Sequence, residues 1–271
     1  MKEIDLFVMS GQSNMQGESE SPVDLSIPWE MACEYKYVGD SLVQLRHPVG
    51  EDITDDRGSL LLAAAHLGNG SLVPSFAEHY YRQSGRRACY VHAAKGATSA
   101  AEWQKGTPRF ACLVNKVKGA VQRLEQDGFA VKRKNFVWLQ GESDGINGTG
   151  RDAYAALLKQ FRQDMEAELG LETFMMIRIA KFHSFPCIPI MEAQERLTRG
   201  SDKFVMLTRI TGTFTIENGL MQGSSAPFHY TNAGYEKVGE IAGRNAAKHL
   251  DGVVFELEEE CYPELESDTK I

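Results

Sequence analysis

Apolar residues run from Ile4 to Met9, broken only by Asp5, and stop at Ser10-Gly11, which predicts a buried strand. Pro74 to Ser84 reads as a helix, with proline in its first turn and Gly85 just past its end. Ala88 to His92 is a second strand. Phe110 to Gln126 spaces Leu113, Val114, Val117, Val121 and Leu124 along one helical face, and Gly128 follows. Asn135 to Leu139 is a third strand. Arg151 to Leu169 repeats the helical spacing through Tyr154, Leu157, Leu158, Phe161 and Met165. Phe174 to Ile179 and Phe204 to Leu207 are further strands around a helical stretch from Ile190 to Arg199, and Thr231 to Leu250 is the last helix.

This alternation predicts an α/β fold, with a mostly parallel sheet covered by helices on both faces. Ligands of such sheets bind beyond the carboxyl ends of the strands, so chemistry is sought there. Glu18 to Asn69 is the least regular part and reads as loops bordering a site. No linker or repeat divides the chain, so residues 1–255 form one expected domain. The strongly acidic stretch 256–271 reads as a solvated, partly disordered end.

Composition narrows the classes. With 271 residues, 42% hydrophobic and 24% charged, the chain matches ordinary globular proteins. A net charge of −8 without a basic cluster argues against nucleic acid and against an anionic membrane surface. No apolar run reaches the roughly 18 residues of a membrane-spanning helix. Five scattered cysteines (Cys33, Cys89, Cys112, Cys187, Cys261) without a CxxC pair suggest reduced thiols, neither a disulfide framework nor a zinc site. The N-terminal apolar run is too short for a signal peptide, so a cytoplasmic protein is the default expectation.

Four segments at strand ends could carry chemistry. Ser10-Gly11-Gln12-Ser13-Asn14-Met15 follows the first strand, where Ser13 is either a nucleophile at the sheet edge or a helix cap. Ala93-Ala94-Lys95-Gly96-Ala97-Thr98-Ser99 follows the second. Gly96 there lets a backbone N–H approach a substrate, or the segment is an ordinary turn. Lys95 lacks the GxxxxGK[ST] spacing of a phosphate loop. Trp138-Leu139-Gln140-Gly141-Glu142-Ser143-Asp144 ends the third strand, where Gln140 could donate to an oxyanion and Glu142 or Asp144 could orient an imidazole. The competing reading is a solvated acidic turn. His229 lies in the loop before the last helix, within reach of Ser13 for a base. Together the four supply a nucleophile, oxyanion donors, an acid and a base.

These blocks resemble a branch of the SGNH hydrolases, the sialate O-acetylesterase-like proteins and the carbohydrate esterase family 6 acetylxylan esterases. The resemblance rests on Gly11-Gln12-Ser13-Asn14-Met15, on Gly96-Ala97-Thr98-Ser99 with Trp103 downstream, on the Trp138 to Asp144 block and on His229. It runs from Ile4 to about Leu250. It implies a flavodoxin-like three-layer α/β/α fold, Ser13 as nucleophile and His229 as base then acid. It also implies an oxyanion hole of Ser13 N–H, Gly96 N–H and the Gln140 side chain. The branch's usual Asp, three residues before the histidine, is Ala226 here. The resemblance then offers Glu142 as the orienting acid, with Asp144 next. Gln12, Asn14, Trp103 and Tyr230 are expected to bind the substrate, the two aromatics as stacking surfaces, whereas Tyr235 reads as core.

The expected activity is a serine esterase removing acetyl groups from small carbohydrates without metal or organic cofactor. Two alternatives stay open. One is an SGNH thioesterase or lipase on longer acyl chains, which the GQSN block disfavours. The other is a carbohydrate-binding protein on a degenerate esterase scaffold, which Ala226 keeps alive.

Overall fold

The structure is a computed structural model that describes residues 1–180, 187–223 and 228–266. In chain order its strands are β1 (Lys2–Gly11), β2 (Ala32–Lys36), β3 (Ser41–Gln44), β4 (Ile53–Thr54), β5 (Leu60–Leu62), β6 (Ala88–Ala94), β7 (Phe129–Leu139), β8 (Thr173–Ile177) and β9 (Phe204–Thr208). Its helices are α1 (Ser13–Gln16), α2 (Val73–Ser84), α3 (Pro108–Gln126), α4 (Glu142–Ile146), α5 (Arg151–Leu169), α6 (Ile188–Thr198), α7 (Asn232–Leu250) and α8 (Pro263–Glu266). A seven-stranded sheet runs β3-β2-β6-β1-β7-β8-β9, all parallel except the edge strand β3. Helices α2 and α7 pack together on one face, and α3, α5 and α6 on the other. The expected three-layer α/β architecture is therefore the observed one.

Aromatic residues join the layers. Phe7 of β1 meets Phe76 and Tyr80 of α2 edge-on at 5.3 and 4.7 Å. Phe136 of β7 meets Phe161 of α5 at 5.5 Å on the opposite face. Helix α7 lies close against α2 because Gly239 and Gly243 remove the side chains between them. A Cβ at Gly243 would sit 2.3 Å from the Phe76 carbonyl oxygen.

Two expectations need correction. The segment from Glu18 to Asn69 is not all loop, since β2 and β3 extend the main sheet. Its pattern hid them because Glu34, in the middle of β2, is a buried carboxylate, bound by Lys36 Nζ and the Gly50 N–H. The first part of the acidic tail is docked rather than solvated. Glu260 accepts both terminal nitrogens of the fully buried Arg178, and Glu258 accepts from Thr208 Oγ1 and the Arg209 N–H.

β1 occupies the centre, with β6 on one side and β7 on the other, so the direction of winding reverses there. Gly11, the last residue of β1, is level with Ala94 of β6 and Leu139 of β7. The three strand ends that carry the first three candidate segments are thus neighbours, at the switch point where α/β sheets open a crevice.

Candidate active site

The turn out of β1 is so tight that only glycine fits its start. Gly11 has φ +149°, and a Cβ there would lie 2.0 Å from the Leu139 carbonyl oxygen. Gln12 then takes the N-cap position and Ser13 the first position of α1. Ser13 is therefore not the cap. Its N–H has no intrahelical acceptor at that position. A Cβ built at Gly96 would lie 3.3 Å from Gln16 Oε1 and 3.4 Å from Ser13 Cβ, so the turn after β6 lies directly against the serine. The next residue, Ala97, has φ +58°, a strained backbone for a residue with a Cβ.

A cavity of about 460 Å³ opens over these turns. Ser13, Gln12, Asn14, Gly96, Glu142 and His229 all contribute to its wall. Residues more than 200 positions apart, Ser13 and His229, thus face one space. No hydrogen bond joins them, and no described carboxylate lies within ion-pair distance of the imidazole. Burial and the neighbouring His66 push the His229 ring down to about 4. The position of Ala226 lies outside the described residues.

The GQSN and QGE segments interlock. Gln12 Oε1 accepts from the N–H groups of Gly141 and Ser143 at 3.2 and 3.1 Å, while its Nε2 has no acceptor among the described residues. Glu142 is 4% exposed and accepts from Asn14 Nδ2 at 2.9 Å, and its Oε2 has no partner among the described residues. Burial raises the Glu142 carboxyl above its usual 4.5.

Several expected roles meet a different geometry. Gln140 does not line the cavity. Its Nε2 donates to the Thr98 carbonyl at 2.9 Å and to Asp144 Oδ2 at 2.6 Å, which uses both amide hydrogens. The Gly96 N–H does reach the cavity wall but donates to Gln16 Oε1 at 2.7 Å. Asp144 is buried and accepts from Ala100 N–H, Gln140 and Thr149, so it is a brace between two loops and does not face His229. Trp103 is fully buried, its indole donating to Thr98 Oγ1 and its ring edge-on to Trp138, and it offers no stacking surface. Tyr230 is buried beside Phe214 and Tyr235 and offers none either. Asn14, expected on the substrate, is spent on protein partners.

Much of the remaining wall comes from the irregular Glu18–Asn69 segment expected to border a site (Glu18, Leu60, Ala63 and His66) and from the turn after β6 (Lys95 and Ala97). Glu18 and Lys95 bring charge to it, and Leu60, Ala63, Ala97, Ile146 and Phe228 make it partly apolar. Lys95 follows a strand and could have been found as a wall residue. Within the irregular segment, no periodicity singled out Leu60 and His66 as the residues that would reach the site. Among the described residues no cluster of His, Cys, Asp or Glu could hold a metal ion, and no helix is long and apolar enough to cross a membrane.

A family model described as carbohydrate esterase, sialic acid-specific acetylesterase matches residues 3–248. The chain belongs to this family. No curated protein matches its sequence. A protein from Arabidopsis thaliana, solved at 1.6 Å, has the same fold, with a TM-score of 0.66 over 90% of this chain and 98% of that one, at 17% identity. A carbohydrate acetylesterase from Xanthomonas citri gives a TM-score of 0.58 at 16% identity, over 93% of this chain. The match spans 57% of that longer protein. Membership of this carbohydrate esterase family makes the cavity at the switch point the candidate active site.

Proposed function

We propose that this chain is a serine esterase that removes O-acetyl groups from small carbohydrates. One observation carries the reading: a single cavity at the switch point holds Ser13, on the β1 turn, and His229, on the loop before α7. Ser13 Oγ attacks the acetyl carbonyl carbon while the His229 imidazole, closing onto it with substrate bound, takes the hydroxyl proton. The carbon–oxygen bond to the sugar breaks, and the sugar oxygen receives that proton. Water repeats the sequence on the acetyl-serine and frees acetate. A low basicity at His229 keeps the ring neutral and able to accept a proton across the neutral range.

The donors best placed for the oxyanion differ from those expected. Among the described residues the Ser13 N–H and Gln12 Nε2 have no acceptor, and Gln12 is held in orientation through its other amide atom. Gly96 can add its N–H only when Gln16 yields it. Glu142 lines the same cavity and is the carboxylate this reading assigns to support the imidazolium. The SGNH and carbohydrate esterase family 6 affinities are part of this reading. Acetylated sialic acids, xylo-oligosaccharides and other small sugars are its substrate classes.

Hydrolysis of 4-nitrophenyl acetate by wild type and Ser13→Ala, side by side with the butyryl ester, tests it. Acetate-ester turnover that disappears in the variant supports the proposal, and a preference for the butyryl ester moves the substrate to longer acyl chains. Equal rates for wild type and variant would refute the esterase reading and leave the carbohydrate-binding one.

A further inference from the structure

Asn14 sits at a three-way junction between the segments that must cooperate in the proposed reaction. It is 2% exposed, and every hydrogen-bonding group of its side chain is used. One hydrogen of its Nδ2 goes to Glu142 Oε1 at 2.9 Å, and the other to the Phe228 carbonyl at 3.0 Å. Its Oδ1 accepts from Tyr235 Oη of α7 at 2.9 Å, and that hydroxyl in turn accepts from the Glu18 N–H. Asn14 directly follows Ser13, and Phe228 directly precedes His229. The bond from Asn14 to Phe228 therefore ties together the two stretches of backbone that carry nucleophile and base. Glu142 anchors the same amide, so the QGE turn is fixed to both.

We propose that Asn14 is a positioning residue that sets the separation of Ser13 and His229 and holds the histidine-bearing loop over the cavity. The inference rests on the esterase reading for its catalytic consequence, but the placement of His229 can be followed without turnover. A buried amide that bonds three partners keeps one orientation, because rotating it by half a turn sets two acceptors against each other and two donors against one another. The imidazole shares its cavity with Glu18, His66, Lys95 and Glu142. Release of the loop would let water reach the ring and move its titration back toward an unburied histidine's.

The test is Asn14→Asp, which keeps the shape and the acceptor for Tyr235 but removes both donated bonds. It is read beside Asn14→Asp combined with Glu142→Gln, which keeps the wild-type charge count and must show the same His229 shift because Phe228 stays unbound. Three quantities are read: kcat and KM for 4-nitrophenyl acetate, melting temperature, and the His229 ring titration by NMR of histidine-labelled protein, assigned with His229→Ala. The expected result is a kcat at least tenfold lower, a KM within threefold, and a His229 titration at least one pH unit higher. Tyr235→Phe removes only the third arm and is expected to lower kcat by about threefold. Where the single variant does not fold, Asn14→Asp combined with Glu142→Gln restores a donor between the two side chains while leaving Phe228 unbound, and the ring titration is read there. A His229 titration that does not move, or a kcat within threefold of wild type, overturns the proposal. So does a Tyr235→Phe loss as large as that of Asn14→Asp, which would reduce Asn14 to packing. Should the wild type show no Ser13-dependent hydrolysis, the esterase reading fails and the ring titration alone decides this one.

Discussion

Replacing Glu142 by Gln should lower activity and raise stability together, and the structure sets both magnitudes. The carboxyl is buried, accepts one hydrogen bond from Asn14, and leaves Oε2 without a partner among the described residues. Burial raises its folded value above 4.5, so the native state binds this proton more tightly than the unfolded chain does. Its favourable contribution is then complete below the unfolded value and is lost as pH rises through the folded one. Once the pH exceeds that folded value, the native protein carries a buried charge that a glutamine would not. Losing the charge weakens the Asn14 bond by about 1 kcal/mol, the difference between charged and neutral hydrogen bonds. It relieves a desolvation cost of about 2 kcal/mol. The net gain of about 1 kcal/mol corresponds to about 2 °C in melting temperature above the folded value, read at pH 8, and shrinks toward nothing below the unfolded one, read at pH 4. The same substitution removes the negative charge that supports a developing imidazolium, and kcat should fall at least tenfold, about 1.4 kcal/mol. Calorimetry at the two pH values and ester hydrolysis at pH 8 measure both. A kcat within tenfold of wild type removes Glu142 from the reaction. A lower melting temperature at pH 8 would show that the buried carboxylate is a net structural asset and would refute the argument.

Because the His229 ring is held down to about 4, kcat/KM should stay flat from pH 8 to about 5 and fall only below that, as the base becomes protonated. An acid limb near 6.5 would mean that a carboxylate reaches the ring during turnover. Gly243→Ala should destabilise the protein by about 2 kcal/mol in chemical denaturation, since its methyl meets the Phe76 carbonyl where α7 crosses α2; unchanged stability would show that the helices separate freely. Glu260→Ala removes one carboxylate from the fully buried Arg178, leaving Glu195 alone, and should cost about 2 kcal/mol by the same measurement. Stability within 0.5 kcal/mol of wild type would return the tail to the solvated end that its composition suggests.

The sequence by itself determined the α/β alternation, most strand and helix positions, and the four segments from which the site is built. These are local matters: hydrophobic period, proline and glycine at helix ends, and short motifs at the ends of strands can all be read within a dozen residues. Helix α5 was found with its observed ends because its apolar stripe is unbroken, whereas β2 was lost because its central residue is a glutamate, made tolerable by Lys36 at the end of the same strand and by the Gly50 N–H 16 residues on. Ser13, Gly96, Glu142 and His229 do converge on one cavity. What each of their neighbours does there was decided only by the tertiary structure. Gln140 and Asn14 are both amides in strand-end motifs, and composition gives no reason to separate them. Gln140 spends its hydrogens on Thr98 and Asp144, and Asn14 spends its own on Glu142 and Phe228. A hydrogen-bonding side chain has the same chemistry wherever it stands, and its role is set by which partners the fold brings within about 3 Å. For Asn14 those partners come from 128 and 214 residues along the chain, a separation that no local pattern records.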